Sequence, residues 1–68
     1  MTALSHALRL DAAECDYRAA CRALVAATRD EVASSGPIRR VLSRAVELLE
    51  VEAHERWRAV LAIAAEAE

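Results

Sequence analysis

The chain has 68 residues, of which 56% are hydrophobic and 29% are charged, and its formal net charge is −2. A single domain of this length has a core that stabilises it by only about 3–5 kcal/mol without a partner or a covalent staple. All nine basic residues are arginines interspersed with eleven acidic residues, so no basic patch is available to hold nucleic acid or an anionic membrane.

The first predicted element is a helix over about residues 3–34. Thr2 is a suitable N-cap residue, and Ser5 is a second candidate. Apolar residues recur in alternating steps of three and four, which is the pattern of a helix that faces a core. Large members of this stripe alternate with alanines, which lets a neighbouring helix approach closely. The stripe consists of Leu10, Ala13, Tyr17, Ala20, Leu24 and Ala27.

A second apolar strip lies on the opposite side of the first helix, roughly 180° from the stripe at about 100° per residue. Two interpretations of the strip are open. Either the strip is a contact surface, or its alanines are there because alanine favours a helix and its leucines lie at a frayed helix end. We take the strip and the arginines on its rim as the candidate partner-binding residues. They are Leu4, Leu8, Cys15, Arg18, Ala19, Arg22 and Ala26.

The turn is predicted at 34–37, where Ser34-Ser35-Gly36-Pro37 holds the single glycine and the single proline of the chain. Gly36 can adopt the positive φ that closes a helix, and Pro37 suits the first position of the next one. The sequence therefore predicts an all-α fold, an antiparallel two-helix hairpin with a coiled-coil-like seam, as one domain over 1–68.

The second helix is predicted over about 37–66. Its stripe comprises Leu42, Val46, Leu49, Ala53, Trp57, Val60 and Ala64, and further apolar residues widen one flank. Trp57 is expected in the core, with a role as an interface anchor as the alternative. Charges at both ends of this helix oppose its dipole, namely Arg39 and Arg40 near the start and Glu66 and Glu68 at the end. In a hairpin the two arginines come near Asp30 and Glu31.

The residues that could carry chemistry do not form a recognisable site. Cys15 and Cys21 are six apart, which places them on different faces of one helix, and they are expected to be free thiols of a reducing cytosol. His6 and His54 share no metal-ligand spacing with them. We expect neither a metal, a cofactor nor an enzymatic activity. The chain shows no apolar run of a membrane span and no signal-peptide layout, which indicates the cytoplasm.

The layout of the whole chain resembles a known family. The opening Met1-Thr2-Ala3-Leu4, the Ala- and Leu-rich first helix, the central glycine-bearing turn and the closing Val60-Leu61-Ala62-Ile63 are similar to the small co-chaperones of type III secretion needle subunits, the YscE/PscE-like family. This resemblance implies a non-enzymatic cytoplasmic protein. The hairpin would bind a second, tetratricopeptide-like chaperone, and the pair would keep the needle subunit soluble until export.

A different hypothesis also fits the pattern of apolar residues. Two hairpins could associate as a homodimeric four-helix bundle and serve as a structural or regulatory module. Both hypotheses start from the same physical expectation. Two helices of this length expose more apolar surface than one seam between them can bury, so another molecule is expected to cover the apolar surface that is left.

Overall fold

The computed structural model describes residues 2–67 and confirms the all-α antiparallel hairpin. Helix α1 spans Ala3–Ala33 and helix α2 spans Gly36–Ala65, and the two pack against each other along their length. Thr2 caps α1 as predicted, since its hydroxyl accepts a hydrogen bond of 3.1 Å from the backbone N–H of Ser5. Only residues 34 and 35 link the helices, so α2 runs directly back along α1.

The turn differs in detail from the prediction. Gly36 has the expected positive φ, 66°, but it is the first residue of α2 and does not close α1. Instead Ser34 leaves α1 in an extended conformation, and its hydroxyl donates a 2.7 Å hydrogen bond to the carbonyl of Asp30. Ser35 is also extended, and its side chain makes no capping hydrogen bond. The reversal of the chain therefore depends on the backbone of Gly36.

Gly36→Ala is expected to destabilise the hairpin by about 1–2 kcal/mol, the cost of placing a Cβ in the left-handed region. Nothing lies within 4 Å of the position that a Cβ would take, so the cost comes from the backbone conformation and not from a clash. Chemical denaturation followed by circular dichroism measures it. Gly36→Asn should cost less, because asparagine tolerates this region. Equal stability of Gly36→Ala and the wild type would contradict the expectation.

The seam between the helices is formed by the two predicted stripes. Every residue of the α1 stripe is buried or half-buried, and Ala20 is its most buried member. On α2 the most buried side chains are Val46, Ala53 and Val60, which are seven residues apart. This spacing is a heptad repeat, so the expected coiled-coil-like seam is present.

Trp57 is a correction to the predicted core. It belongs to the α2 stripe by spacing, but 42% of its surface is exposed. Its ring packs against Tyr17 with the centroids 5.1 Å apart and the planes tilted by 45°. The indole is too large for a seam in which alanines bring the helices close, so it lies at the edge and covers Tyr17 from one side.

The hairpin is long and thin, with Cα extents of 53 × 14 × 12 Å and a radius of gyration of 15.7 Å. A compact domain of this length has a radius of gyration of about 11 Å. The accessible surface is 5096 Å², whereas about 4,200 Å² is typical of a folded monomer of this mass, 7.4 kDa. The single seam therefore leaves an excess of surface, much of it apolar.

Candidate partner-binding surface

The outer face of α1 comprises the seven candidate partner-binding residues, and all of them are exposed. Leu4 and Leu8 are 69% and 62% exposed, so neither leucine contributes to the seam. Helical spacing puts the strip on the side of α1 away from Ala20, the most buried residue of α1, with Ala19 at the edge of the strip. The structure thus brings the seven residues onto one accessible side of one helix. Their role in binding a partner stays a prediction.

Polar groups border the outer face and leave its centre apolar. Arg18 forms an ion pair of 3.2 Å with Glu14, one helical turn earlier, as the order of the charges predicts. An open depression of about 360 Å³ lies further along α1, lined by Cys21, Arg22, Val25, Ala26 and Arg29. Arginine around a small apolar centre is the composition of protein–protein interfaces. This arrangement suits a side chain inserted by another protein.

The end of the hairpin opposite the turn is held by a set of contacts that the sequence analysis missed, which we call the clasp. Arg9 donates two hydrogen bonds to the carboxylate of Glu66, at 2.7 and 3.1 Å. His6 approaches the carbonyl oxygen of Ile63 with its Nε2 at 2.6 Å. A carbonyl only accepts, so Nε2 must carry the proton. The clasp fixes the first turns of α1, and with them Leu4 and Leu8, against the last turn of α2.

The clasp also corrects the expectation about the helix dipole. Glu66 lies at the negative end of α2, where a carboxylate is unfavourable, and α2 has no basic residue in its last turn. Arg9 and His6 of α1 donate hydrogen bonds to the Glu66 carboxylate and to the Ile63 carbonyl, and so take the place of a basic residue in the last turn of α2. At the turn end the expected compensation is absent, because no ion pair in residues 2–67 joins Arg39 or Arg40 to Asp30 or Glu31.

The contact with Arg9 changes the pKa of the Glu66 carboxyl group. Its pKa is lowered, chiefly because the carboxylate accepts hydrogen bonds from Arg9; partial burial opposes this, and the charges of Arg9 and His6 add to it. The same hydrogen bond raises the pKa of Arg9 above its already high ordinary value. Both side chains remain about two-fifths exposed, so salt screens their attraction.

The clasp is expected to make stability depend on pH in the acid range. A carboxylate whose pKa is lower in the folded state stabilises fully above its unfolded pKa, about 4.3, and loses this contribution as the pH falls through the folded value. The melting temperature of Glu66→Gln should therefore lie below that of the wild type at neutral pH and converge with it in acid. Glu55→Gln, at an exposed position of α2, is the control and should show no such convergence. A constant difference for Glu66→Gln at every pH would contradict this assignment.

The two thiols occupy different environments. Cys15 is exposed on the outer face of α1, Cys21 is half-buried, and both are free. A hydrogen bond with the Cys21 thiol raises the pKa of the Tyr17 hydroxyl, and the negative charge that the thiol can carry acts in the same direction. Cys21 therefore interacts with Tyr17, which stacks with Trp57 at the edge of the seam, and it also lines the depression on α1.

No family model matches the chain, and neither a curated protein nor a solved structure matches it. Neither of the two described helices has the length and apolar character needed to cross a membrane. Within the same residues, no three His, Cys, Asp or Glu side chains are grouped so that they could hold a metal ion. The candidate surface is therefore defined by the geometry of this chain alone.

Proposed function

We propose that this chain is a small, non-enzymatic adaptor of the cytoplasm that works as a co-chaperone. It pairs through the outer face of α1 with a second, helical-repeat chaperone of the tetratricopeptide type. Together they keep a type III secretion needle subunit soluble before its export. The similarity in layout to the YscE/PscE-like family supports the identity of the partners, and the exposed outer face supports the mode of binding.

The observation that carries the proposal is the exposure of Leu4 and Leu8 in a hairpin whose seam is already complete. Apolar side chains that stay exposed together on one face mark sites of protein interaction. A helix that offers such a face commonly binds in the groove of a partner, with its apolar side chains as anchors. The concave surface of a helical-repeat protein is a groove of this kind.

The shape of the hairpin suits this mode of binding. The outer face is continuous, because α1 runs through 31 residues and contains no glycine or proline that could kink it sharply. Its central residues, Cys15, Ala19 and Ala26, are small, so a partner helix can approach the backbone of α1 closely. The clasp holds the leucines at the far end in place before the partner arrives, which reduces the entropy lost on binding.

Co-expression tests the proposal directly. The hairpin is produced with the tetratricopeptide-like protein and the needle-subunit candidate from the same genome, and the complex is purified through a tag on the hairpin. We expect a complex containing all three proteins and a higher melting temperature of the hairpin within it, since a ligand at 100 times its Kd stabilises the folded state by about 2.7 kcal/mol. If the hairpin purifies alone and the needle subunit is equally soluble without it, the co-chaperone role is wrong.

A further inference from the structure

A second apolar surface remains exposed on one flank of α2, near the turn. Ile38, Val41, Ala45 and Leu48 follow one another in steps of three, four and three. This is the spacing of a coiled-coil seam, yet α1 does not cover it: Ile38, Val41 and Leu48 are all exposed. We call these four residues the α2 ridge.

A hollow of about 290 Å³ lies beside the ridge, one helical turn beyond Leu48. Its walls come from both helices, and its floor consists of alanines. The residues that line it are Asp16, Ala19, Ala20, Ala23, Glu52 and Arg56. The protruding part of this side of the molecule and its recessed part therefore lie next to each other.

We propose that a second copy of this chain packs on this side, antiparallel to the first, and that the two form a four-helix bundle. A ridge beside a hollow is self-complementary: a two-fold axis near Leu48 places the ridge of each copy in the hollow of the other. The proposal goes beyond the adaptor role, because the contact is centred on the α2 ridge. The hollow shares Ala19 with the outer face of α1 but includes neither Leu4 nor Leu8.

Charge complementarity supports a second copy as the occupant. Helical spacing puts Arg44 at the outer edge of the ridge, whereas the charged residues that line the hollow are Asp16, Glu52 and Arg56. A two-fold axis near Leu48 sets Arg44 of one copy level with Glu52 of the other. Opposite charges meet at this position, which favours an antiparallel second copy as the occupant.

The surface area supports the same conclusion. The hairpin exposes 5096 Å², about 900 Å² more than is typical of a folded monomer of its mass. A standard stable interface covers about 800 Å² on each partner. Pairing of two copies would therefore remove nearly the whole excess and bring the exposed surface of each chain to its usual value.

Sedimentation equilibrium of the full chain, with a pair of matched variants, tests the proposal. Val41 on the ridge and Val32 on the opposite side of the hairpin are both valines that are 70% exposed. We expect the wild type to form a dimer. Val41→Glu should raise the dimer dissociation constant at least tenfold, and Val32→Glu should change it less than twofold. Circular dichroism checks that both variants keep their helices, and Val41→Ser replaces Val41→Glu if the latter unfolds.

Each other outcome overturns the proposal. A wild type that remains monomeric up to millimolar concentration shows that no second copy binds. Equal weakening by the two glutamate variants shows that the ridge is not the contact. A dimer that Leu8→Glu dissociates and Val41→Glu does not is built through the outer face of α1. Because Leu8→Glu and Val41→Glu act on different faces, failure of this inference and failure of the adaptor role are distinguished.

Discussion

Val46→Asp is expected to unfold the hairpin at 25 °C. Val46 is 8% exposed and lies on the seam, and no charged residue of the described chain is buried there with it. An unpaired charge at such a site costs about 3–5 kcal/mol, and a domain of this size has only about 3–5 kcal/mol of stability from its core. The helices cannot survive separately, because most helical stability in proteins comes from packing. Loss of the cooperative thermal transition in circular dichroism is the measurement.

Val51→Asp is the matched control for this prediction. The residue is also a valine in the middle of α2, but it is 57% exposed and lies away from the seam. Its replacement should change the unfolding free energy by no more than about 0.5 kcal/mol. If both variants melt like the wild type, the seam does not hold the molecule together as described.

Leu8→Glu is expected to weaken binding of the helical-repeat partner strongly and to leave the hairpin folded. The side chain is exposed, so its loss should change the unfolding free energy by about 0.5 kcal/mol at most. In the complex it would become a buried anchor, and removal of such an anchor costs 2 kcal/mol or more, roughly a 30-fold increase in Kd. Isothermal titration with the purified partner measures the change, and a thermal melt of the free variant checks its fold.

Leu61→Glu separates this effect from a general effect of added charge. Leu61 is an exposed leucine of α2 and does not belong to the outer face of α1. Its replacement should leave the Kd of the partner within about twofold of the wild type. Unfolding of free Leu8→Glu would place Leu8 in the core, contrary to the structure. Equal weakening by the two variants would move the binding surface elsewhere.

The hairpin and its seam could be predicted from the sequence because both depend on local, periodic information. Gly36 and Pro37 interrupt a chain that is otherwise composed of good helix formers, which defines two helices and a reversal between them. Once the helices exist, their period decides which residues face each other. Ala20, Val46 and Ala53 are buried because they are central to the two stripes.

Features that depend on the relative position of the two helices could not be predicted in the same way. His6 and Ile63 lie equally far from the turn, which could have indicated the clasp, but the helical periodicity of α1 or α2 alone does not reveal it. The size of Trp57 relative to the narrow seam decides its exposure, and this is a property of packing. For the same reason, the exposed ridge on α2 is evident only after the width of the seam is known. The outer face of α1 was predicted because it depends on one helix.

The two-residue link at 34 and 35 has a consequence for the order in which the molecule assembles. Contacts near the link join segments that are close in the chain, whereas Arg9 and Glu66 are 57 positions apart. Closure of a longer loop costs more entropy, although the increase is slow. The contacts between the helices are therefore expected to form first near Gly36 and last at the clasp. Fluctuations of the native state should break the contacts at the clasp first. Amide protons near Leu8 and Ile63 should then exchange with solvent sooner than those near Leu24 and Val46.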